Sequence, residues 1–246
     1  MRSGAPRTVL VTGASSGIGL ATARAFAVRG DRVVAQYRSQ PGPVEALARE
    51  LGGDRVVAVA ADLATEDGCI AAVAAAPGLE VLVHSAGIWN DGAIRTLDAD
   101  TLDTMFRTNT FSAYYLAREA ARAMARGAIV YIGSTAGQRG EPGHSHYAGS
   151  KAALWGLVQS LGQELAPGIR VNLVSPGWVR TPMAEPALAI DGREERITSA
   201  VPLRRIAEPE DVAAAVLFLA DDETGRHLTG IDLPVSGGAL LPLPRG

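Results

Sequence analysis

Lysine is almost absent from this chain of 246 residues: Lys151 is the only one among 23 basic residues, and the others are arginines. A lysine ammonium is a compact charge with three rotatable donors, whereas arginine is a planar fork, so position 151 favours a property that arginine lacks. Tyr147 lies four residues earlier, and residues at that spacing share one face of a helix. Two interpretations stay open: an exposed helical pair, or an ammonium that lowers the phenol pKa from its usual ~10 and permits proton transfer near neutral pH.

Cysteine, net charge and long apolar runs are also scarce. Cys69 stands alone, which excludes an intrachain disulfide and favours a reducing compartment. The net charge of −3 gives no reason to expect nucleic acid or an anionic membrane as a partner. No apolar run approaches the ~20 residues of a membrane span. We therefore expect a soluble cytoplasmic protein whose length fits one large domain.

Short apolar runs alternate with helical patterns along the chain, which is typical of an α/β fold with a parallel sheet covered on both faces. The predicted strands are Thr8–Thr12, Arg32–Tyr37, Val56–Ala60, Glu80–His84, Ala128–Gly133, Arg170–Val174 and Asp232–Val235. The predicted helices are Ile18–Arg29, Val44–Leu51, Glu66–Ala76, material within Asp98–Arg126, Tyr147–Leu165 and Pro209–Ala220. No linker interrupts the alternation, so residues 1–246 are predicted to form a single domain. The least regular segment, Met183–Ala200, is a candidate mobile lid.

A glycine-rich turn, Thr12–Gly19, joins the first predicted strand to the first predicted helix. Glycine allows a tight turn and a close approach of the backbone to a pyrophosphate, which then faces the positive end of the helix. The chain has no Gly-Lys-Ser/Thr sequence, which argues against a P-loop nucleotidase. We therefore expect a dinucleotide at this turn, bound by Gly13, Ser15, Ser16, Gly17, Ile18 and Gly19.

The end of the second strand indicates which dinucleotide is bound. A carboxylate there accepts hydrogen bonds from the adenosine ribose of NAD(H), whereas an arginine accommodates the 2′-phosphate of NADP(H). The strand is followed by Arg38 and Ser39 with no acid, and the arginine fork suits a phosphate. NADP(H) is therefore the predicted cofactor, with NAD(H) as the alternative. Asp62 and Leu63, after the third strand, are predicted to bracket the adenine.

Several further motifs occur at matching places along the chain: Ser134, Tyr147-x-x-x-Lys151, and Pro176-Gly177 followed by Thr181. Together with the glycine turn they closely resemble the pattern of the short-chain dehydrogenase/reductase family, in its 3-oxoacyl-acyl-carrier-protein reductase branch. The resemblance implies a Rossmann-type doubly wound sheet, binding of NAD(H) or NADP(H), and interconversion of alcohols and carbonyls. It also implies a catalytic tetrad of Asn109, Ser134, Tyr147 and Lys151.

The resemblance gives each tetrad residue a role. Tyr147 would donate a proton to the carbonyl oxygen that Ser134 orients, Lys151 would tune the phenol and hold the nicotinamide ribose, and Asn109 would hold a relay water. Further cofactor contacts are implied for Ser85, Ala86, Gly87, Pro176, Gly177, Val179 and Thr181. The chain departs from the family at His84-Ser85, where two asparagines are common, and both residues are candidates to replace the asparagine hydrogen bonds.

Side chains beyond the carboxyl ends of the strands are the candidates for substrate contact, because ligands bind there in a doubly wound sheet. They are Trp89, Gln138, His144, Trp178 and Met183. The two tryptophans would form a flat hydrophobic wall for a bulky or cyclic ketone, and ordinary loop packing stays open for each residue. No third ligand accompanies His144 and His146, so no metal is expected.

The sequence therefore predicts an NADPH-dependent carbonyl reductase. The substrate classes are a 3-oxoacyl thioester, either free or presented by a carrier protein, a polyketide-like ketone and a cyclic ketone. An NAD-dependent secondary alcohol dehydrogenase and a non-catalytic dinucleotide-binding sensor stay open as alternatives. The resemblance further implies a homotetramer or homodimer built on helices around Phe111–Met124 and Ala152–Leu165.

Overall fold

One sheet of seven parallel strands forms the centre of the protein in the structure, a computed structural model that describes residues 6–242. The strands are β1 (Thr8–Val11), β2 (Arg32–Tyr37), β3 (Val56–Ala60), β4 (Leu79–His84), β5 (Gly127–Ile132), β6 (Ile169–Pro176) and β7 (Asp232–Val235). Their order across the sheet is β3-β2-β1-β4-β5-β6-β7. The strand order reverses between β1 and β4, because β2 and β3 lie on one side of β1 and β4 to β7 lie on the other. A doubly wound sheet binds its ligand at such a switch point.

Helices cover both faces of the sheet. They are α1 (Gly17–Val28), α2 (Gly42–Leu51), α3 (Glu66–Ala74), α4 (Ala99–Phe106), α5 (Ser112–Ala123), α6 (Thr135–Arg139), α7 (Ser145–Glu164), α8 (Glu185–Leu188), α9 (Arg193–Ala200) and α10 (Pro209–Ala220). A single π-helical turn, Arg107–Phe111, joins α4 to α5. Within residues 6–242 no helix combines the length and the apolar character that crossing a bilayer requires.

The strands are apolar throughout because both of their faces are buried. Val9 packs in one cluster with Phe26 of α1 and Val216 of α10, whereas its neighbour Leu10 packs in a second cluster with Leu116 of α5. Successive strand side chains point to opposite faces of a sheet, so a strand covered on both sides has no polar position to spare. This burial explains why the apolar runs of the sequence predicted strands correctly.

The α/β class, the parallel sheet and the order of elements agree with the sequence prediction, and most bounds move by one or two residues. Three differences bear on the site. The helical material after Asp98 is interrupted by the π turn, the short helix α6 was not predicted, and the expected irregular segment Met183–Ala200 contains the helices α8 and α9. The sequence did not predict the π turn, because a π turn adds only one residue to a helix and the helical segments on each side of it keep their apolar faces.

Two arginines, one just before β1 and one in β6, contact the C-terminal end of α10. Arg7 donates from Nη1 to the Ala220 carbonyl at 2.8 Å and from Nη2 to Asp31 at 3.0 Å, and this ion pair is buried. Arg170 of β6 donates to the carbonyls of Leu219 and Gly225. Two guanidinium groups therefore satisfy carbonyls that the helix end leaves unpaired, where its dipole is negative. Helix α10 in turn packs along α1.

Candidate active site

The glycine turn between β1 and α1 leaves the positive end of the helix open. Gly13 and Gly17 have φ of +64° and +48°, which side chains disfavour, and a Cβ at Gly19 would lie 2.2 Å from the Gly13 carbonyl oxygen. The N-cap residue, Ser16, makes no side-chain capping bond, and the first turn contains no acid. The free N–H groups and the helix dipole therefore suit an anion, and the turn fits a dinucleotide pyrophosphate.

Gln36 of β2 fixes the turn, a role that the sequence did not predict. Its Oε1 accepts from the Gly13 N–H at 2.9 Å, and its Nε2 donates to the Ala61 carbonyl at 2.7 Å. The Thr12 hydroxyl oxygen likewise accepts from the N–H groups of Ser85 and Ala86, which joins the turn to the end of β4. The sequence does show Gln36 as a polar residue inside an apolar strand, and this indicates a structural role because buried polar groups need hydrogen-bond partners.

A cleft of about 400 Å³ opens beyond the carboxyl ends of the strands, a size typical of small-molecule sites. Every residue predicted to contact the cofactor lines it: Gly13, Ser15, Ser16, Gly17, Ile18, Gly19, Arg38, Ser39, Asp62, Leu63, Ser85, Ala86, Gly87, Tyr147, Lys151, Pro176, Gly177, Val179 and Thr181. Arg38 and Ser39 lie at one end of the cleft, directly after β2, and neither position carries a carboxylate. The fold thus brings these residues into one cavity.

Ser134 and Tyr147 both line this cleft, and the Ser134 hydroxyl is close enough to the phenol to influence its pKa. Ser134 caps α6, because its Oγ accepts from the Ala136 N–H at 3.1 Å, and this bond fixes the serine rotamer. Burial raises the pKa of Tyr147, the nearby Ser134 hydroxyl lowers it, and the Glu141 carboxylate raises it. The phenol therefore keeps its proton at neutral pH and is placed to donate it.

Lys151 is buried at the floor of the cleft. Its side chain is 5% exposed, its Nζ donates to the Ile132 carbonyl at 2.9 Å, and burial lowers its pKa to about 8. A Cβ at Gly87 would lie 3.3 Å from Nζ and 3.2 Å from Asn109 Oδ1, so the glycine keeps the space between these two groups open. The interpretation of Lys151 as an exposed helical partner of Tyr147 is excluded by this burial.

Asn109 lies on the π turn, behind the cleft surface. Its Oδ1 accepts from the Ile88 N–H at 2.8 Å, and its Nδ2 donates to the Ile88 carbonyl and to Ser150 Oγ, each at 3.0 Å. Ser150 donates in turn to the carbonyl of Tyr147 at 2.7 Å. The amide thereby connects the loop after β4 to the turn of α7 that carries the phenol and the ammonium.

The comparisons with known proteins agree with this geometry. A family model described as "Enoyl-(Acyl carrier protein) reductase" matches residues 13–239. The chain belongs to the short-chain dehydrogenase/reductase family. Members of this oxidoreductase family bind a nicotinamide dinucleotide, and the cleft described above fits one.

Its relatives within the short-chain dehydrogenase/reductase family carry different activities in their names. The chain is 39% identical over 251 residues to an L-rhamnose 1-dehydrogenase (NAD(P)(+)) of Azotobacter vinelandii, with 96% of this chain and 98% of that one covered. It is 36% identical over 242 residues to the 3-oxoacyl-acyl-carrier-protein reductase FabG of Escherichia coli, with 96% and 98% covered. A solved short-chain dehydrogenase from Burkholderia cenocepacia in complex with NADP has a TM-score of 0.88 at 34% identity, covering 95% and 97%.

At the substrate end of this short-chain dehydrogenase/reductase, three of the five predicted residues line the cleft: Trp89, Trp178 and Met183. The two indoles meet edge to face, with centroids 6.2 Å apart at 75°. His144 is buried behind Trp89, stacked at 4.7 Å and 11°, with Nε2 2.9 Å from Asp91 Oδ1. Gln138 is also absent from the cleft lining, and it donates to the Asp232 carboxylate instead.

Arg139 and Glu141 line the same end, and neither was predicted to contact a small-molecule substrate. Both lie between Ser134 and Tyr147, and the sequence of that segment has no periodic pattern that predicts where its side chains point. Among residues 6–242 the Glu141 carboxylate has no hydrogen-bond or ion-pair partner, although the residue is only partly exposed. No group of three potential metal ligands comes together within the described residues.

Proposed function

We propose that this protein is an NADPH-dependent carbonyl reductase. The observation that carries the proposal is that Ser134, Tyr147 and the buried Lys151 come together in the cleft that begins at the glycine turn. This arrangement supplies a proton donor, a second hydrogen-bond donor and a positive charge around one point, as reduction of a carbonyl requires.

The chain's own residues would perform four tasks. The cofactor, when bound along this cleft, would supply the hydride for the carbonyl carbon. Ser134 donates a hydrogen bond to the carbonyl oxygen and orients it, and Tyr147 donates its proton to that oxygen as negative charge develops there. Lys151 would hold the nicotinamide ribose hydroxyls and stabilise the phenolate that remains. Asn109 would hold the water through which the phenolate regains a proton.

Turnover is expected to fall as pH rises through about 8, the value to which burial lowers the pKa of Lys151. Below that pH the side chain is an ammonium that stabilises the phenolate, and above it the side chain is a neutral amine. Tyr147 keeps its own proton across this range, since burial raises its pKa. A profile of kcat/KM for the ketone between pH 6 and 10 checks this, and a flat profile would contradict the role of the charge.

The proposed preference for NADPH rests on Arg38. Replacing it by aspartate removes the phosphate partner and supplies the carboxylate that the NAD(H) ribose favours. Each charge-assisted hydrogen bond contributes about 1.5–3 kcal/mol, so the ratio of kcat/KM for NADPH over NADH should fall by about 10- to 100-fold or more. Arg139→Asp makes the same charge change at the substrate end and should leave the ratio unchanged. A ratio that Arg38→Asp does not move would refute NADP(H) selection by this residue.

The proposed substrates are 3-oxoacyl thioesters, polyketide-like ketones and cyclic ketones, to which the indoles of Trp89 and Trp178 offer apolar faces. The exposed guanidinium of Arg139 stands at the same end and would suit an acidic carrier protein. Loss of absorbance at 340 nm, measured with NADPH and separately with NADH, tests a panel from acetoacetyl thioesters to bicyclic diketones. Tight NADPH binding without turnover on any member would favour the dinucleotide sensor instead.

A secondary alcohol dehydrogenase is the alternative that one observation favours. The Glu141 carboxylate lines the cleft and has no partner among the described residues, so it would accept hydrogen bonds from the hydroxyl groups of a sugar. The similar Azotobacter protein is named a rhamnose dehydrogenase. Oxidation of free sugars with NAD⁺ or NADP⁺, followed at the same wavelength, tests this direction. A sugar oxidation more efficient than every ketone reduction would replace the reductase by the dehydrogenase.

We further propose that the protein assembles as a homotetramer or homodimer. Helix α5 and the turn before it expose Phe111 and Tyr114, and α7 exposes Trp155, each with more than a third of its surface accessible. Large exposed apolar side chains of this kind mark interaction sites. Light scattering of the purified protein measures the assembly, and a monomer would refute it.

A further inference from the structure

His84 occupies the last position of β4 and is completely buried, yet none of the steps above uses it. Its Nε2 lies 2.8 Å from the hydroxyl oxygen of Ser112, the first residue of α5. The Ser112 hydroxyl lies 2.6 Å from the carbonyl oxygen of Thr108. A chain of two hydrogen bonds thus runs from the sheet to the π turn Arg107–Phe111.

The direction of both bonds follows from the groups present. A carbonyl only accepts, so the single hydroxyl hydrogen of Ser112 is donated to Thr108. The Ser112 oxygen must then accept from His84, which requires the hydrogen of the imidazole to be on Nε2. Burial and the Lys151 charge lower the pKa of His84 to about 3, so the ring is neutral and its Nδ1 carries no proton.

This chain completes the hydrogen bonding of the π turn. The Ser112 N–H bonds to the carbonyl of Arg107, five residues earlier, where an α-helix would use Thr108. The Ser112 hydroxyl bonds to the Thr108 carbonyl in its place. A hydroxyl has several rotamers, and the imidazole N–H selects the one that serves the turn.

The π turn reaches both sides of the cleft. Asn109 pairs its amide with the backbone of Ile88, and Thr110 Oγ1 donates to the Ser150 carbonyl at 3.0 Å, one residue before Lys151. Thr108 itself lines the cleft. A shift of this turn would therefore move the loop after β4 and the α7 turn that carries the ammonium.

We propose that His84 is a positioning residue that fixes, through Ser112, the π turn on which Asn109 stands. The inference rests on the proposed reductase activity for its kinetic test. Its structural part is independent of that activity, because it assigns a tautomer and two hydrogen bonds.

Three variants test the chain kinetically: His84→Leu, Ser112→Ala and their combination. Misplacement of reacting groups costs up to about 100-fold, so we expect each single change to lower kcat by about 10- to 100-fold while the KM for NADPH stays within about twofold. The double variant should be no slower than the slower single one, because both changes break one chain. His84→Gln, whose amide N–H can donate to Ser112, should recover most of kcat.

A matched control separates positioning from stability. Asn172 of β6 is also fully buried and hydrogen-bonded, to the Leu228 carbonyl, but it lies away from the π turn. Asn172→Leu should lower Tm and leave the kcat of the folded fraction unchanged. Wild-type kcat in folded His84→Leu, or losses that multiply in the double variant, would overturn the proposal.

The tautomer gives a test that needs no turnover. A ¹⁵N histidine spectrum of the whole protein, assigned by comparison with His84→Gln, should show His84 protonated at Nε2 only. A proton on Nδ1 alone would overturn the inference even in a fully active enzyme. If no ketone or alcohol is turned over but the Nε2–H signal is present, the proposed function fails and the hydrogen-bond chain stands.

Discussion

Replacing Tyr147 by phenylalanine is expected to lower kcat by about 1000-fold or more while leaving the Kd for NADPH nearly unchanged. The change removes only the phenolic hydroxyl, which is the proton donor of the proposed reaction, and general acid catalysis typically contributes about 10²- to 10⁴-fold. Ser134 cannot replace the phenol as the acid, because an aliphatic hydroxyl is a much weaker acid than a phenol. Steady-state rates at 340 nm and fluorescence titration with NADPH measure the two quantities.

Tyr115→Phe serves as the matched control for this variant. Tyr115 lies in α5 and stacks with the Arg118 guanidinium rather than lining the cleft, so the loss of its hydroxyl should not change kcat. Turnover by Tyr147→Phe within tenfold of the wild type would remove the phenol from the mechanism. If the wild type and Tyr147→Phe both bind NADPH tightly and neither turns over a substrate, the result would instead indicate the dinucleotide sensor.

Replacing Lys151 by arginine is expected to cost about 100-fold or more in kcat/KM, although the charge is kept. The ammonium is buried, donates to the Ile132 carbonyl, and lies beside the narrow space between Gly87 and Asn109. A planar guanidinium is larger than an ammonium and cannot direct three rotatable donors at ribose hydroxyls and a phenolate. A misplacement of about 1 Å already costs about 100-fold in catalysis.

Lys151→Met separates charge from shape, because methionine has a similar length and no charge. Both variants should lose about 100-fold or more in kcat/KM. The methionine variant places no larger cation in the buried site, but it leaves the Ile132 carbonyl without its donor, so we expect a lower Tm with the fold kept. Circular dichroism with thermal melting establishes which variants fold before rates are compared. Activity in folded Lys151→Arg above a tenth of the wild type would show that position 151 requires only a positive charge.

The sequence was sufficient to predict that these residues share one cleft, because they follow strand ends, and parallel strands bring all their carboxyl ends to one edge. Arg38, Asp62 and Ser134 each follow a different strand, and the sheet order alone places them together. The direction of a loop side chain has no such periodicity. Gln138 and His144 therefore looked equivalent to Trp89 in the sequence, yet one bonds to Asp232 and the other supports the tryptophan from behind.

The departure at His84-Ser85 shows a second limit. The sequence identified the two positions and could not assign their partners, because Ser112 lies 28 residues from His84 and beyond a π turn that has no pattern of its own. Ser85 lines the cleft, with its N–H bonded to Thr12, whereas His84 turns into the core. His84 is the last residue of β4 and Ser85 is the first residue beyond it, so the two neighbours have different surroundings.

The packing of α1 against α10, with Arg7 bonded to Ala220, has a consequence for biosynthesis. A ribosome makes the apolar face of α1 early and the helix that covers it near the end of the chain. At ~5–20 residues per second, that face waits on the order of ten seconds or more for its cover. The nascent chain therefore carries this apolar face without its α10 cover for most of its synthesis, and we expect the face to be a target for chaperones during translation.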